Sequence, residues 1–266
     1  MTTGSTGSTG SKIAVAGATG RVGRHVVDVL TAGGHEVVAI ARSRGVDVVT
    51  GEGLAAALAG VRCIVDVSSG PSADETAARA FFTAAARNLH AAGERAGVSR
   101  KVVVSIIGCD RFAAGYTAAK AAHERAALAG PIPVRILRAA QFHEFVPQLV
   151  AWGRQGAVSY VTPMRTQLVA ARTVAGELAA LATATGPAED AAPAGAPIPE
   201  IAGPREESLV AMATLLVNRR GAALTVEGRH ATDDPDRDLY ESGALLPGPH
   251  ATLAGPTFAA WLDANP

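Results

Sequence analysis

The chain has 266 residues, with 24 Lys plus Arg balanced by 24 Asp plus Glu. That length suits one domain with a full core. Zero net charge provides no field to draw the protein to nucleic acid or an anionic membrane, and an aromatic content of 4% is too low for a base-stacking surface.

No apolar run reaches the roughly 18 residues of a membrane helix, and no charged-then-apolar signal opens the chain, so a cytoplasmic location is expected. The first eleven residues, MTTGSTGSTGS, repeat Ser, Thr and Gly and read as a flexible leader, leaving 12–266 as a single domain. Cys63 and Cys109 have no ligand or pairing spacing and the seven histidines are scattered, so neither a disulfide nor a metal site is expected.

The run KIAVAGATGRVG from Lys12 to Gly23 is the most informative stretch. Ile13 to Ala16 read as a buried parallel strand, and a Gly17-x-x-Gly20-x-x-Gly23 turn follows, opening a helix with Val22, Val26, Val29 and Leu30 on its apolar side. Gly17 supplies the tight turn, Gly20 lets the backbone approach a pyrophosphate, and Gly23 lets the helix pack on the strand. With Thr19, Arg21 and Val22, these residues form a candidate dinucleotide-phosphate site at a helix N-terminus. A second strand, Glu36 to Ala41, completes the unit. It ends in Arg42, Ser43 and Arg44 with no carboxylate to bind a ribose, which favours NADP over NAD.

Further strands are expected at Val46 to Val49, Arg62 to Val67, Lys101 to Ile106 and Val134 to Leu137. A helix is expected from Asp74 to Ala96, its core stripe formed by Phe81, Ala85, Leu89, Ala92 and Ala96. Alternating strands and helices imply an α/β fold, a doubly wound parallel sheet covered on both faces. Ligands of such sheets sit at the carboxyl ends of the strands. This adds Val67, Ser68, Ser69, Ile106, Ala139, Ala140, Gln141 and Phe142 to the cofactor candidates. Thr185 to Pro199, rich in Ala and Pro, reads as an exposed loop. Helices are expected at Arg205 to Arg219 and Phe258 to Leu262.

After the fifth core strand, Tyr116 and Lys120 stand four apart at a helix start, which projects both from one face. A neighbouring ammonium lowers a phenol toward the working range, making Tyr116 a candidate proton donor to a carbonyl, and Ser105 could hold the same oxygen. His123 and Glu124 fit a solvated face, and Asp66 is a buried or capping residue without a catalytic role.

Gly-Ala-Thr-Gly-x-x-Gly together with Ser105 and Tyr116-x-x-x-Lys120 resembles the short-chain dehydrogenase/reductase superfamily. More narrowly, the chain is similar to its atypical NmrA-like, NAD(P)H-binding branch over nearly all of Lys12 to Leu262. The resemblance implies a Rossmann fold with Tyr116 as general acid/base, Lys120 on the nicotinamide ribose, and Ser105 orienting the substrate carbonyl. It implies an NADPH-dependent oxidoreductase. The same scaffold also serves nonenzymatic NAD(P) sensors, lyases and epimerases; the intact Tyr/Lys pair favours the enzyme. Substrate-covering elements are expected from 141–170 and 200–266. His143, Phe145, Trp152 and Met164 are the candidate substrate contacts, which suggests a small hydrophobic partner. Composition leaves monomer and homo-oligomer both open.

Overall fold

The computed structural model describes residues 10–70, 72–184 and 196–265. Strand β1 (Lys12–Ala16) is buried from Ile13 onward because it lies inside the sheet with helices on either face. Helix α1 (Gly23–Ala32) returns the chain to β2 (Glu36–Ile40), parallel to β1 with Ile13 opposite Val37. After α2 (Leu54–Ala57) the chain crosses to the other edge of β1, where β3 (Cys63–Asp66) sets Asp66 opposite Ala16. Helix α3 (Glu75–Ala96), β4 (Arg100–Ile106), α4 (Gly115–Leu128) and β5 (Val134–Ala139) continue outward.

The chain then builds a cap over the strand ends: α5 (Val146–Trp152), β6 (Arg154–Gln155), β7 (Val158–Val161) and β8 (Arg165–Thr166). It re-enters the body with α6 (Ala171–Thr183) and β9 (Glu200–Ala202). The cap gains β10 (Glu207–Ser208), α7 (Leu209–Arg219), β11 (Thr225–Gly228) and α8 (Arg237–Ser242), and the chain closes with β12 (Thr252–Leu253) and α9 (Phe258–Ala264).

The main sheet has seven strands in the order β2-β1-β3-β4-β5-β9-β12, all parallel. Helices α1 and α6 pack together on one face, and α3 and α4 on the other. Val15, Leu30, Val174 and Leu178 share one core layer; Ile40, Leu58, Ile64 and Leu89 share the opposite one. Val146, Val161, Leu216 and Phe258 form a separate cap core. The strand order reverses between β1 and β3, so a crevice opens there at the strand ends.

The expected α3 stripe is in the core, with Ala85, Leu89 and Ala92 buried and Phe81 and Ala96 beside them. Two expected elements differ. Val46 to Val49 is not a strand, because Asp47 Oδ1 accepts from the amides of Val49 and Thr50 and folds the segment into a turn. The helix expected from Arg205 begins at Leu209, since Glu207–Ser208 pairs with Arg165–Thr166 and Ser208 Oγ caps the helix. The leader over 1–9 and the Ala/Pro-rich segment over 185–195 lie outside the described residues. Among the described residues, no helix is long and apolar enough to cross a membrane.

Candidate active site

The crevice widens into a cleft of about 1360 Å³ running from the β1–α1 turn to the cap. At its phosphate end Gly17 adopts φ +82°, and a Cβ there would lie 2.8 Å from the Ser68 backbone. A Cβ on Gly23 would lie 2.0 Å from the Gly17 carbonyl oxygen, so the missing side chain is what lets α1 sit on the turn. No side chain caps α1, whose N-cap is Val22; the amides of Arg24 and His25 turn back to the Gly20 and Val22 carbonyls, and the helix start meets the cleft through Thr19 to Val22. This cradle fits the pyrophosphate of a dinucleotide.

Arg42 lines the far end of the cleft, opposite Asp47 in the turn described above; Ser43 and Arg44 are exposed beside it and do not line it. Arg21 spans the mouth, donating to Gln148 Oε1 at 2.6 Å, with its guanidinium carbon 5.7 Å from the centre of the Phe145 ring. Thr19, Gly20, Val22, Val67, Ser68, Ser69, Ile106, Ala139, Ala140, Gln141 and Phe142 all line the cleft. So do Phe145, Trp152 and Met164 from the cap. Sequence reading missed Tyr160, Leu209, Tyr240 and Leu245, which come from separate cap elements with no local motif.

Tyr116 lies where the two ends meet. Three amides just before it are held by carboxylates: Asp236 Oδ2 accepts from Ala113 and Ala114 at 2.8 Å each, and Glu75 Oε2 from Gly115 at 2.9 Å. Its Oη is 3.2 Å from Ser69 Oγ. Burial pushes the phenol above its ordinary value, and the Ser69 contact opposes that rise.

Lys120 lines the same cleft but faces inward, donating to the Val104 carbonyl at 2.8 Å and contacting His123 Nδ1 at 2.9 Å. Burial lowers its ammonium to about 8. The phenol is therefore set by burial and Ser69 rather than by the ammonium the spacing suggested.

Ser105 borders the cleft, yet its hydroxyl sits 3.6 Å from Cys109 Sγ, in a buried group where Arg138 grips Glu124 at 2.8 and 2.9 Å. The strand alternation that buries Val103 turns Ser105 to the same α4 face.

Two further expectations change, while Asp66 is buried as expected. His123 and Glu124 are 0% and 5% exposed rather than on a solvated face, because α4 is covered by α3 and the sheet. His143 does not reach the cleft: its Nε2 meets the Pro256 carbonyl at 3.1 Å, and its ring packs on Phe258 and Trp261. Asp66 is fully buried and paired with Lys101 at 2.9 Å. Tyr116, Lys120 and His123 share one helix face, a spacing visible in the sequence that could have located His123.

Residues 17–144 match the family model of NAD(P)H-binding domains. No curated protein matches the chain in sequence. Among solved structures, MoeE5 in complex with UDP-glucose and NAD is 18% identical, with 96% of this chain and 99% of that one covered and a TM-score of 0.66. The UDP-N-acetylglucosamine 4-epimerase of Bacillus cereus is 17% identical, with 96% and 94% covered and a TM-score of 0.65. The triphenylmethane reductase of Citrobacter sp., complexed with NADP(H), is 19% identical, with 94% of each chain covered and a TM-score of 0.63. At these identities they share the fold. Residues 17–144 thus resemble an NAD(P)H-binding domain, and the chain as a whole has a Rossmann fold.

Proposed function

We propose that the protein is an NADPH-dependent oxidoreductase that reduces a carbonyl or conjugated carbonyl of a small hydrophobic molecule. The observation that carries this reading is the change of character along the cleft. Among the described lining residues the charged side chains are Arg21, Arg42, Asp47 and Lys120, whereas the cap end beyond Tyr116 is mostly apolar and aromatic, with Gln148 and Thr162 among its polar members. A nucleotide sugar of the kind named for MoeE5 brings a diphosphate, which calls for cations, and Arg21 is the one charged lining residue that reaches the cap. An apolar carbonyl compound suits Trp152, Tyr160, Met164 and Leu209.

The bound dinucleotide supplies the hydride. Tyr116 supplies the proton: burial keeps its phenol protonated at neutral pH, the state a donor requires. Ser69 Oγ, 3.2 Å away, stabilises the oxygen as the proton leaves. The carboxylates holding the amides of residues 113–115 fix the tyrosine against the cleft, so that positioning lowers the barrier. Exposed Arg42 at the ribose end supports the choice of NADPH over NADH.

The test is a fluorescence titration with NADPH and NADH at one salt concentration, followed by NADPH consumption with aryl ketones, enones and nucleotide sugars. NADPH should bind at least about tenfold tighter, the worth of one charge-assisted contact. Binding of neither nucleotide would overturn the reading, and turnover confined to nucleotide sugars would overturn the substrate class.

A further inference from the structure

Of the chain's 24 Lys and Arg residues, only Lys12, Lys101 and Lys120 are lysines. Lys12 is partly exposed and pairs with Glu36 at 3.1 Å. The other two are 0% and 4% exposed and belong to one buried cluster behind the cleft. In a chain that uses arginine nearly everywhere else, buried Arg100 included, both cations of this cluster are ones able to lose a proton.

The cluster is a continuous chain of contacts. Lys120 Nζ lies 2.9 Å from His123 Nδ1; His123 Nε2 lies 3.4 Å from Asp66 Oδ2; Lys101 Nζ lies 2.9 Å from the same oxygen. Ser68 donates through Oγ to Asp66 Oδ1 at 2.6 Å and itself lines the cleft. The Phe82 ring stacks on His123 at 4.5 Å and 14°, and carries Lys120 Nζ 4.5 Å above its face. The contacts to Asp66 Oδ2 are charge contacts rather than aligned hydrogen bonds.

An ammonium has donors only, so His123 Nδ1 must be the acceptor and its ring proton must sit on Nε2, toward Asp66. Buried charges of this kind contribute little net stability over apolar residues of the same volume. Their value must lie in what they hold at the cleft.

We infer that His123, its Nδ1 kept as an acceptor with Nε2 facing Asp66, is the positioning residue that holds the Lys120 ammonium at the cleft floor, and that Lys120, His123 and Asp66 titrate as one unit. This rests on Lys120 belonging to the site proposed above. The other titratable groups facing Lys120 are Lys101 on β4, Cys109 just after it and Glu124 on α4, while His90 on α3 faces Lys101 and Asp66. Desolvation drives the Lys120 ammonium down, and Asp66 is the foremost of the groups that oppose it.

Having only three lysines makes the test direct. Nitrogen-labelled lysine and histidine in the intact protein give separable NMR signals, assigned by Lys→Arg exchanges. In the wild type, His123 should be the Nε2–H tautomer, and Lys120 should titrate well below the ordinary lysine value. His123→Leu should lower the Lys120 midpoint by about one to two pH units, the worth of a hydrogen bond to a charged group, with Lys12 unmoved. His123→Asn, which keeps an acceptor, should restore most of that shift.

NADPH affinity should fall about tenfold in His123→Leu and stay near wild type in His123→Asn. An Nδ1–H tautomer, a Lys120 titration unmoved by His123→Leu, or equal effects of Leu and Asn would each overturn the inference. The wild-type tautomer decides it even if His123→Leu does not fold. Because that readout needs no nucleotide, failure here and failure of the proposed function are separate results.

Discussion

Tyr116 Oη and Ser69 Oγ stand 3.2 Å apart, whereas Lys120, one helical turn beyond Tyr116, is turned to Val104 and His123. Two side chains on one helix face therefore have different partners, and the hydroxyl beside the phenol comes from the end of β3 rather than from Ser105. Removing that hydroxyl removes the contact that lowers the phenol. Ser69→Ala should raise the Tyr116 titration, read by ultraviolet difference against Tyr116→Phe, and cut turnover roughly tenfold. Ser105→Ala should leave the Tyr116 titration in place.

Tyr116→Phe should abolish turnover while keeping NADPH affinity within about twofold, since the phosphate cradle and Arg42 are untouched. Full activity in this variant would exclude Tyr116 as the proton donor.

Arg42→Asp places a carboxylate where a 2′-phosphate would lie. NADPH affinity should fall by roughly tenfold to a hundredfold, with a much smaller change for NADH. Equal losses for both nucleotides in the same titration would remove Arg42 from the phosphate role.

Gly23→Ala forces a Cβ to within 2.0 Å of the Gly17 carbonyl oxygen, backbone against backbone. Helix α1 must shift off the turn, so the variant should lose nucleotide binding and about 2 kcal/mol or more of stability by urea denaturation.

Acid stability follows from His123 and Asp66. Burial first, then Lys120, hold His123 down to about 4, whereas it protonates near 6.5 when unfolded. The unfolded chain binds more protons between those values, so stability falls as pH drops from about 6.5 to about 4. Burial would raise the Asp66 carboxyl, but Lys101, His123 and Ser68 hold it well below the usual carboxylate range, and its contribution is lost as pH falls beneath about 3.9. Urea midpoints across this range should slope steeply in the wild type. They should flatten between pH 6.5 and 4 in His123→Asn, which has no imidazole to protonate.

The sequence by itself determined the elements whose cause is local. The glycine spacing, the apolar strands β1 to β5, the α3 stripe, and Arg42 at a strand end are all legible because turns, strand burial and helix periodicity depend on neighbouring residues. That the sheet is parallel and doubly wound, with ligand candidates at its strand ends, followed from the alternation of strand and helix, whereas the strand order did not. Tertiary structure alone decided the rest. His143 was drawn to Pro256, Phe258 and Trp261, and Ser105 was turned into the buried group of Cys109, Glu124 and Arg138. The pairing of Ser69 with Tyr116 joins residues 47 apart, and Asp236 reaches Ala113 across 123 positions. No local pattern encodes such partners. They are chosen by which strand ends and helix faces the packed sheet brings together, and by the cost of leaving a buried polar group without one.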